Sequence, residues 1–226
     1  SYGMTNTFRL DFVPTLPGNW LFNATYALAS GINERNYDTH DVLANTISLA
    51  PGYNFGKFAL NFPVNYTHTL KRDPSYRRYS DLFSAGPMIR YLAGQSHILE
   101  LYAGYTKKNI FKPVTNPELE DQSSCGVDSY FSWMWLLESG GILNLKYGYA
   151  IERADGIHYN NRSNRFTLNA IHPVYKALRL QLSGDVNLQN YENENSFFGN
   201  ETRRDKIYTG TIGLTWDVHK NVSLLA

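Results

Sequence analysis

Leu178, Leu180, Leu182, Val186 and Leu188 fall on one parity of the chain, and Arg179, Gln181, Ser183, Asp185 and Asn187 fall on the other. Side chains of an extended strand alternate between two faces, so this stretch predicts a strand with one apolar and one polar face. The same contrast recurs. Leu143, Leu145, Tyr147, Tyr149 and Ile151 oppose Asn144, Lys146, Gly148 and Glu152. Tyr208, Ile212, Leu214, Trp216 and Val218 oppose Thr209, Thr211, Thr215 and Asp217, and Leu99, Leu101, Ala103 and Tyr105 oppose Glu100, Tyr102, Gly104 and Thr106. Phe58, Leu60, Phe62, Val64 and Tyr66 share a fifth such face. Shorter versions lie at 8–13, 21–29, 42–53, 82–91, 129–138 and 165–172, and 221–226 begins another. That predicts about eleven strands and the start of a twelfth, the better cases roughly 9–12 residues long, the length that crosses a bilayer at a tilt.

A soluble antiparallel sandwich also alternates. Here the polar parity is rich in Asn, Gln, Ser, Thr and Gly rather than Lys and Glu, which suits a water-filled or plugged lumen. Aromatic residues make up 15% of the chain, with 17 Tyr. Trp20, Tyr53, Tyr66, Tyr91, Tyr105, Trp133, Trp135, Tyr191, Tyr208 and Trp216 sit near predicted strand ends, as interfacial girdles require. Connections alternate between short (53–57, 93–97, 139–142, 174–177, 218–221) and long (31–41, 71–81, 109–128, 154–164, 192–206). Tight turns on one side and long loops on the other describe a bacterial outer-membrane barrel. The expected fold is therefore all-β: an antiparallel up-and-down transmembrane β-barrel, with residues 1–226 as a single domain.

Composition agrees. A mean hydropathy of −0.40 looks hydrophilic, but a barrel hides its lipid face in every second residue. The formal net charge of +1 argues against a nucleic-acid surface. Cys125 is the one cysteine and has no internal disulfide partner. Residues 1–30 lack a basic start followed by an apolar run, so the chain reads as mature or trimmed. Barrels of this class begin and end in the periplasm. Counting back from a periplasmic turn at 218–221 sends the strand at 8–13 inward from the surface. A strand is then expected to be missing at each end, giving about fourteen in the complete barrel.

The run Arg203-Arg204-Asp205-Lys206-Ile207-Tyr208, then Gly213-Leu214-Thr215-Trp216 and Asn221-Val222-Ser223-Leu224, resembles a hairpin common in Gram-negative outer-membrane β-barrels. It is similar in particular to porin-like barrels, some of them found with polysaccharide export or as the barrel ends of larger periplasmic proteins. The resemblance implies residence in the outer membrane among lipid and lipopolysaccharide, and periplasmic or surface protein partners.

Inward parity selects Arg9, Asp11, Arg90, Glu100, Lys146, Glu152, Arg179, Asp185 and Asp217 as lumen-lining candidates. Their mixed signs fit cross-strand pairs or a path for neutral polar solutes rather than a selective ion pore. Weaker signals read as ordinary loop chemistry. His158, Ser163 and Asn164 resemble the set of outer-membrane phospholipases, but all three fall in one predicted loop with nothing to fix their geometry. Asp38, His40 and Asp41 resemble a protease rim in the same loose way, and Glu118, Glu120 and Asp121 read as a solvated acidic loop. Lys71, Arg72, Arg77 and Arg78 form the most basic loop, suited to lipopolysaccharide phosphates. The sequons at Asn23, Asn65, Asn161, Asn200 and Asn221 read as chance. No Cys/His spacing fits zinc. No cofactor and no catalytic activity are expected. The expected function is a porin-like channel for small polar solutes or polysaccharide. The alternative is a structural or assembly barrel that anchors a periplasmic domain or aids surface delivery of a partner.

Overall fold

The computed structural model describes residues 3–33, 41–175, 177–195, 201–219 and 222–225. The chain is all-β. Its strands are β1 (Gly3–Phe12), β2 (Trp20–Asn33), β3 (Val42–Asn54), β4 (Phe58–Asn61), β5 (Val64–Arg72), β6 (Tyr76–Ala85), β7 (Met88–Ala93), β8 (His97–Ile110), β9 (Ser124–Leu136), β10 (Ile142–Ala154), β11 (Asn161–Tyr175), β12 (Leu178–Asn195), β13 (Glu201–His219) and β14 (Val222–Leu225). One helical turn, α1 (Pro117–Glu120), and a 3-10 turn, Ile157–Tyr159, lie in connections. All pairings are antiparallel. β3 pairs with both β4 and β5, β8 pairs with both β6 and β7, and β4 and β5 in turn pair with β7 and β6.

Two prolines divide strands that act as single crossings. β4 and β5 are separated by Phe62-Pro63, and β6 and β7 by Gly86-Pro87. Proline has no N–H to give to a ladder. The ladder continues around each one: Phe62 N–H donates to Pro51 O at 2.8 Å, Gly86 N–H to Pro63 O at 3.3 Å and Ala103 N–H to Pro87 O at 3.2 Å. Side-chain parity is unbroken across both. With β4–β5 and β6–β7 each counted once, the 14-stranded sheet makes about twelve crossings.

The two ends of the sheet differ. Gly18, Gly56, Gly94 and Gly140 hold positive φ, at 67°, 94°, 76° and 81°. Each sits in a turn at the same end, before β2, β4, β8 and β10. At Gly56 and Gly94 the left-handed backbone closes a tight hairpin that a Cβ would strain. The opposite connections are shorter than expected, because the strands run on. β5 and β6 are joined across 73–75 only, where the sequence suggested a loop over 71–81. β9 starts at Ser124, β11 at Asn161, and β12 and β13 reach Asn195 and Glu201.

Register makes the faces explicit. One row of paired residues runs Asp11, Thr25, Ser48, Asn65, Ser84, Thr106, Gly126, Glu152, Asn161 and Tyr191 from β1 to β12. The adjacent row on the other face runs Phe12, Ala24, Leu49, Val64, Ala85, Tyr105, Val127 and Ile151. Burial is inverted relative to a water-soluble fold. Asn61, Ser124, Ser132, Asn161 and Thr215, all on the polar face, are buried. Among the described residues Tyr102 is the buried hydrophobic residue, and it too lies on the polar face. On the apolar face Phe12, Trp216 and Ile212 are 62%, 55% and 78% exposed.

Candidate functional site

The polar face is the candidate site. Arg90, Glu100, Ser132, Lys146, Thr167, Asp185 and Thr209 form one cross-strand row. Glu152 lies in the row of Asp11 and Asn161, and Arg9 is two residues from Asp11. Arg179 pairs with Thr215. Asp217, opposite Ser223, keeps the register parity of Thr215. Arg9, Asp11, Arg90, Glu100, Lys146, Glu152, Arg179 and Asp185 therefore share one face, because the ladder preserves the parity read from the sequence.

They do not form one cluster. Arg9 and Asp11 pair with each other at 2.8 Å on β1, and Asp11 accepts from Thr25 Oγ1 at 2.6 Å. A larger network crosses β7 to β12. Arg90 pairs with Glu100 at 2.7 Å, and Glu100 accepts from the Tyr130 hydroxyl at 2.7 Å. The Lys146 ammonium sits 3.4 Å from the centre of the Tyr130 ring, a cation–π contact. On the next strands Asp185 binds Arg165 at 2.6 Å and Thr167 Oγ1 at 2.8 Å. Tyr102 stacks on Tyr130 with ring centres 5.2 Å apart. Gly104 leaves the space for it: a Cβ there would overlap the Tyr102 hydroxyl.

Nearer the long connections Glu152 gathers Lys108, Ser124 Oγ at 2.6 Å and Asn161 Nδ2 at 3.0 Å. Two cavities meet there. One, of about 330 Å³, is lined by Lys108, Asp128, Tyr130, Lys146, Glu152 and Arg165 among others. The second, of about 380 Å³, is lined by Lys108, Gln122, Glu152, Tyr159, Gln189 and Arg203 among others. The groups are ion pairs, amides and hydroxyls. Such groups offer hydrogen bonds to a polar partner without a dominant sign of charge.

Sequence reading missed Lys108, Asp128 and Arg165. The predicted loops 109–128 and 154–164 ended close to them. Their parity alone would have placed them beside Glu100, Lys146 and Asp185. The hydrolase-like sets do not assemble. His158 lies in the 3-10 turn, whereas Ser163 and Asn164 take opposite faces of β11. Asp38 and His40 lie outside the described residues, and Asp41 is buried beside Arg72 at 3.7 Å. Of the basic loop, Arg78 pairs with Asp81, which also holds His68 at 2.7 Å. Among the described residues no group of His, Cys, Asp and Glu is arranged to hold a metal.

The sequence matches no family model and no curated protein.

Proposed function

We propose that the chain is a bacterial outer-membrane β-barrel that passes small polar solutes or polysaccharide. In this reading the apolar face meets lipid and lipopolysaccharide, and the polar face surrounds an aqueous lumen. The carrying observation is the inverted burial. Large apolar side chains are exposed along one face of the sheet, from Phe8 on β1 to Trp216 on β13, whereas a protein in water rarely exposes more than a few hundred Å² of contiguous apolar surface. A lipid solvent removes the conflict, and antiparallel ladders satisfy the backbone within it once the sheet closes. Mixed charges on the other face favour solutes without net charge, such as sugars. Liposomes carrying the folded protein should swell in isotonic small sugars. No swelling, with the protein shown to be folded in the bilayer, would contradict the channel.

The assembly-barrel reading is favoured by one feature. Among the described residues β1 pairs only with β2, and both its faces are exposed. An open strand edge is a site where another strand pairs. Cross-linking from Thr7→Cys to co-expressed periplasmic proteins, in place of conductance, would favour that reading.

A further inference from the structure

The apolar face carries a trough floored by glycine. Gly184 on β12 and Gly210 on β13 are direct cross-strand partners, and a Cβ at either would meet nothing within 4 Å. The trough holds about 840 Å³ and is walled by Phe131, Trp133, Leu145, Phe166, Leu168 and Tyr208 among others. It does not end in more apolar surface. Toward the long connections the same face carries exposed Lys107, Arg153, Arg162, Arg204 and Lys206. Glu192 holds Arg153 and Arg162 together, reaching Arg162 at 2.8 Å. Arg162, Asn190 and Arg204 are consecutive partners across β11, β12 and β13.

This charge belongs to one end. Every described Asp, Glu, Lys or Arg on the apolar face lies in the half toward the long connections, and on β1, β2, β4 and β7 that face carries none. Lys206 is four residues from Gly210 along β13, roughly 13 Å at strand rise. That is the separation between a headgroup and the upper part of its acyl chains. Arg162 and Arg204 are two strand spacings apart, roughly 10 Å, wider than one phosphate.

We infer that this surface binds a phosphorylated glycolipid. An acyl chain fills the glycine-floored trough, and phosphates borne on a saccharide headgroup bridge Arg162, Arg204 and Lys206. Arg guanidinium groups match phosphate oxygens two at a time, and the width of the arc selects a headgroup with more than one phosphate over a simple phospholipid. The inference rests on the membrane reading above.

The test uses the full chain in phosphatidylcholine bilayers containing a bisphosphorylated, acylated glucosamine disaccharide. Wild-type protein extracted gently should retain about one such lipid per chain. Arg162→Gln/Arg204→Gln/Lys206→Gln should lower its retention at least tenfold, and Gly184→Leu/Gly210→Leu should do so with the charges intact. Lys57→Gln, in a tight turn at the other end, should leave retention unchanged. Equal retention of phosphatidylglycerol at matched phosphate content, or full retention by the triple variant, would overturn the site. Failure of the wild type to enter phosphatidylcholine bilayers at all would instead overturn the membrane reading.

Discussion

At the scale of single residues, parity decides which side chains face apart. Leu168 lies midway along β11 with its side chain 44% exposed on the apolar face, and Asn169 beside it faces the other way. Leu168→Arg should lower folding stability in bilayers by about 2–4 kcal/mol, the range for a cation near the midplane. Asn169→Arg should cost well under half of that. Reversible urea titration in vesicles measures both, and equal losses would mean that the faces are misassigned. A second residue-level test uses Gly104. Gly104→Leu must displace the Tyr102 ring from its stack on Tyr130, and overpacking of this kind costs about 1–3 kcal/mol. The reporter is the tyrosine near-UV signal, which should fall with the stability. An unchanged signal would mean that Tyr102 is not seated over Gly104.

At the scale of elements the alternation was legible wherever a strand has one apolar side. Leu178 to Leu188 and Leu143 to Ile151 needed nothing else. The misjudged regions are those in which both faces are polar. Tyr76, Arg77 and Arg78 carry no period-two apolar signal, so β6 begins five residues earlier than the end of its expected loop at 81. Glu192 to Asn195 and Glu201 to Lys206, expected as loop, extend the long β12–β13 hairpin for the same reason. A strand standing above an apolar belt has water on both sides, so selection for a greasy face ends there. Pro63 and Pro87 were invisible in another way, since parity passes through them unchanged. These elements also give the membrane proposal an orientation to test. Cys125 is exposed at the start of β9, paired with Lys107 and Arg153 at the end of the long connections. A membrane-impermeant maleimide should label it in intact cells. Labelling only after lysis would turn the long connections toward the periplasm.

At the scale of the whole molecule the polar face nearly cancels its own field. Arg90 is offset by Glu100, Lys108 by Glu152 and Arg165 by Asp185. The nine candidates read from sequence gave this balance, and adding Lys108, Asp128 and Arg165 keeps it. Which cations meet which acids was not legible, because it depends on register across strands far apart in the chain, such as Lys108 and Glu152. Selectivity needs one sign at a constriction, so a conducting barrel should discriminate weakly between anions and cations. Lys146 and Arg165 both line the cavity that contains Asp128. Lys146→Gln/Arg165→Gln leaves Asp128 and Asp185 without these cations and should shift the channel toward cations.

The most direct measurement is single-channel recording of the folded protein in a planar bilayer under a salt gradient. The account predicts stepwise, near-ohmic conductance with a reversal potential close to zero, displaced in the cation-selective direction by Lys146→Gln/Arg165→Gln. A silent protein that is demonstrably folded in the bilayer, or a double variant with an unmoved reversal potential, would contradict the claim that the polar face lines a path through the membrane.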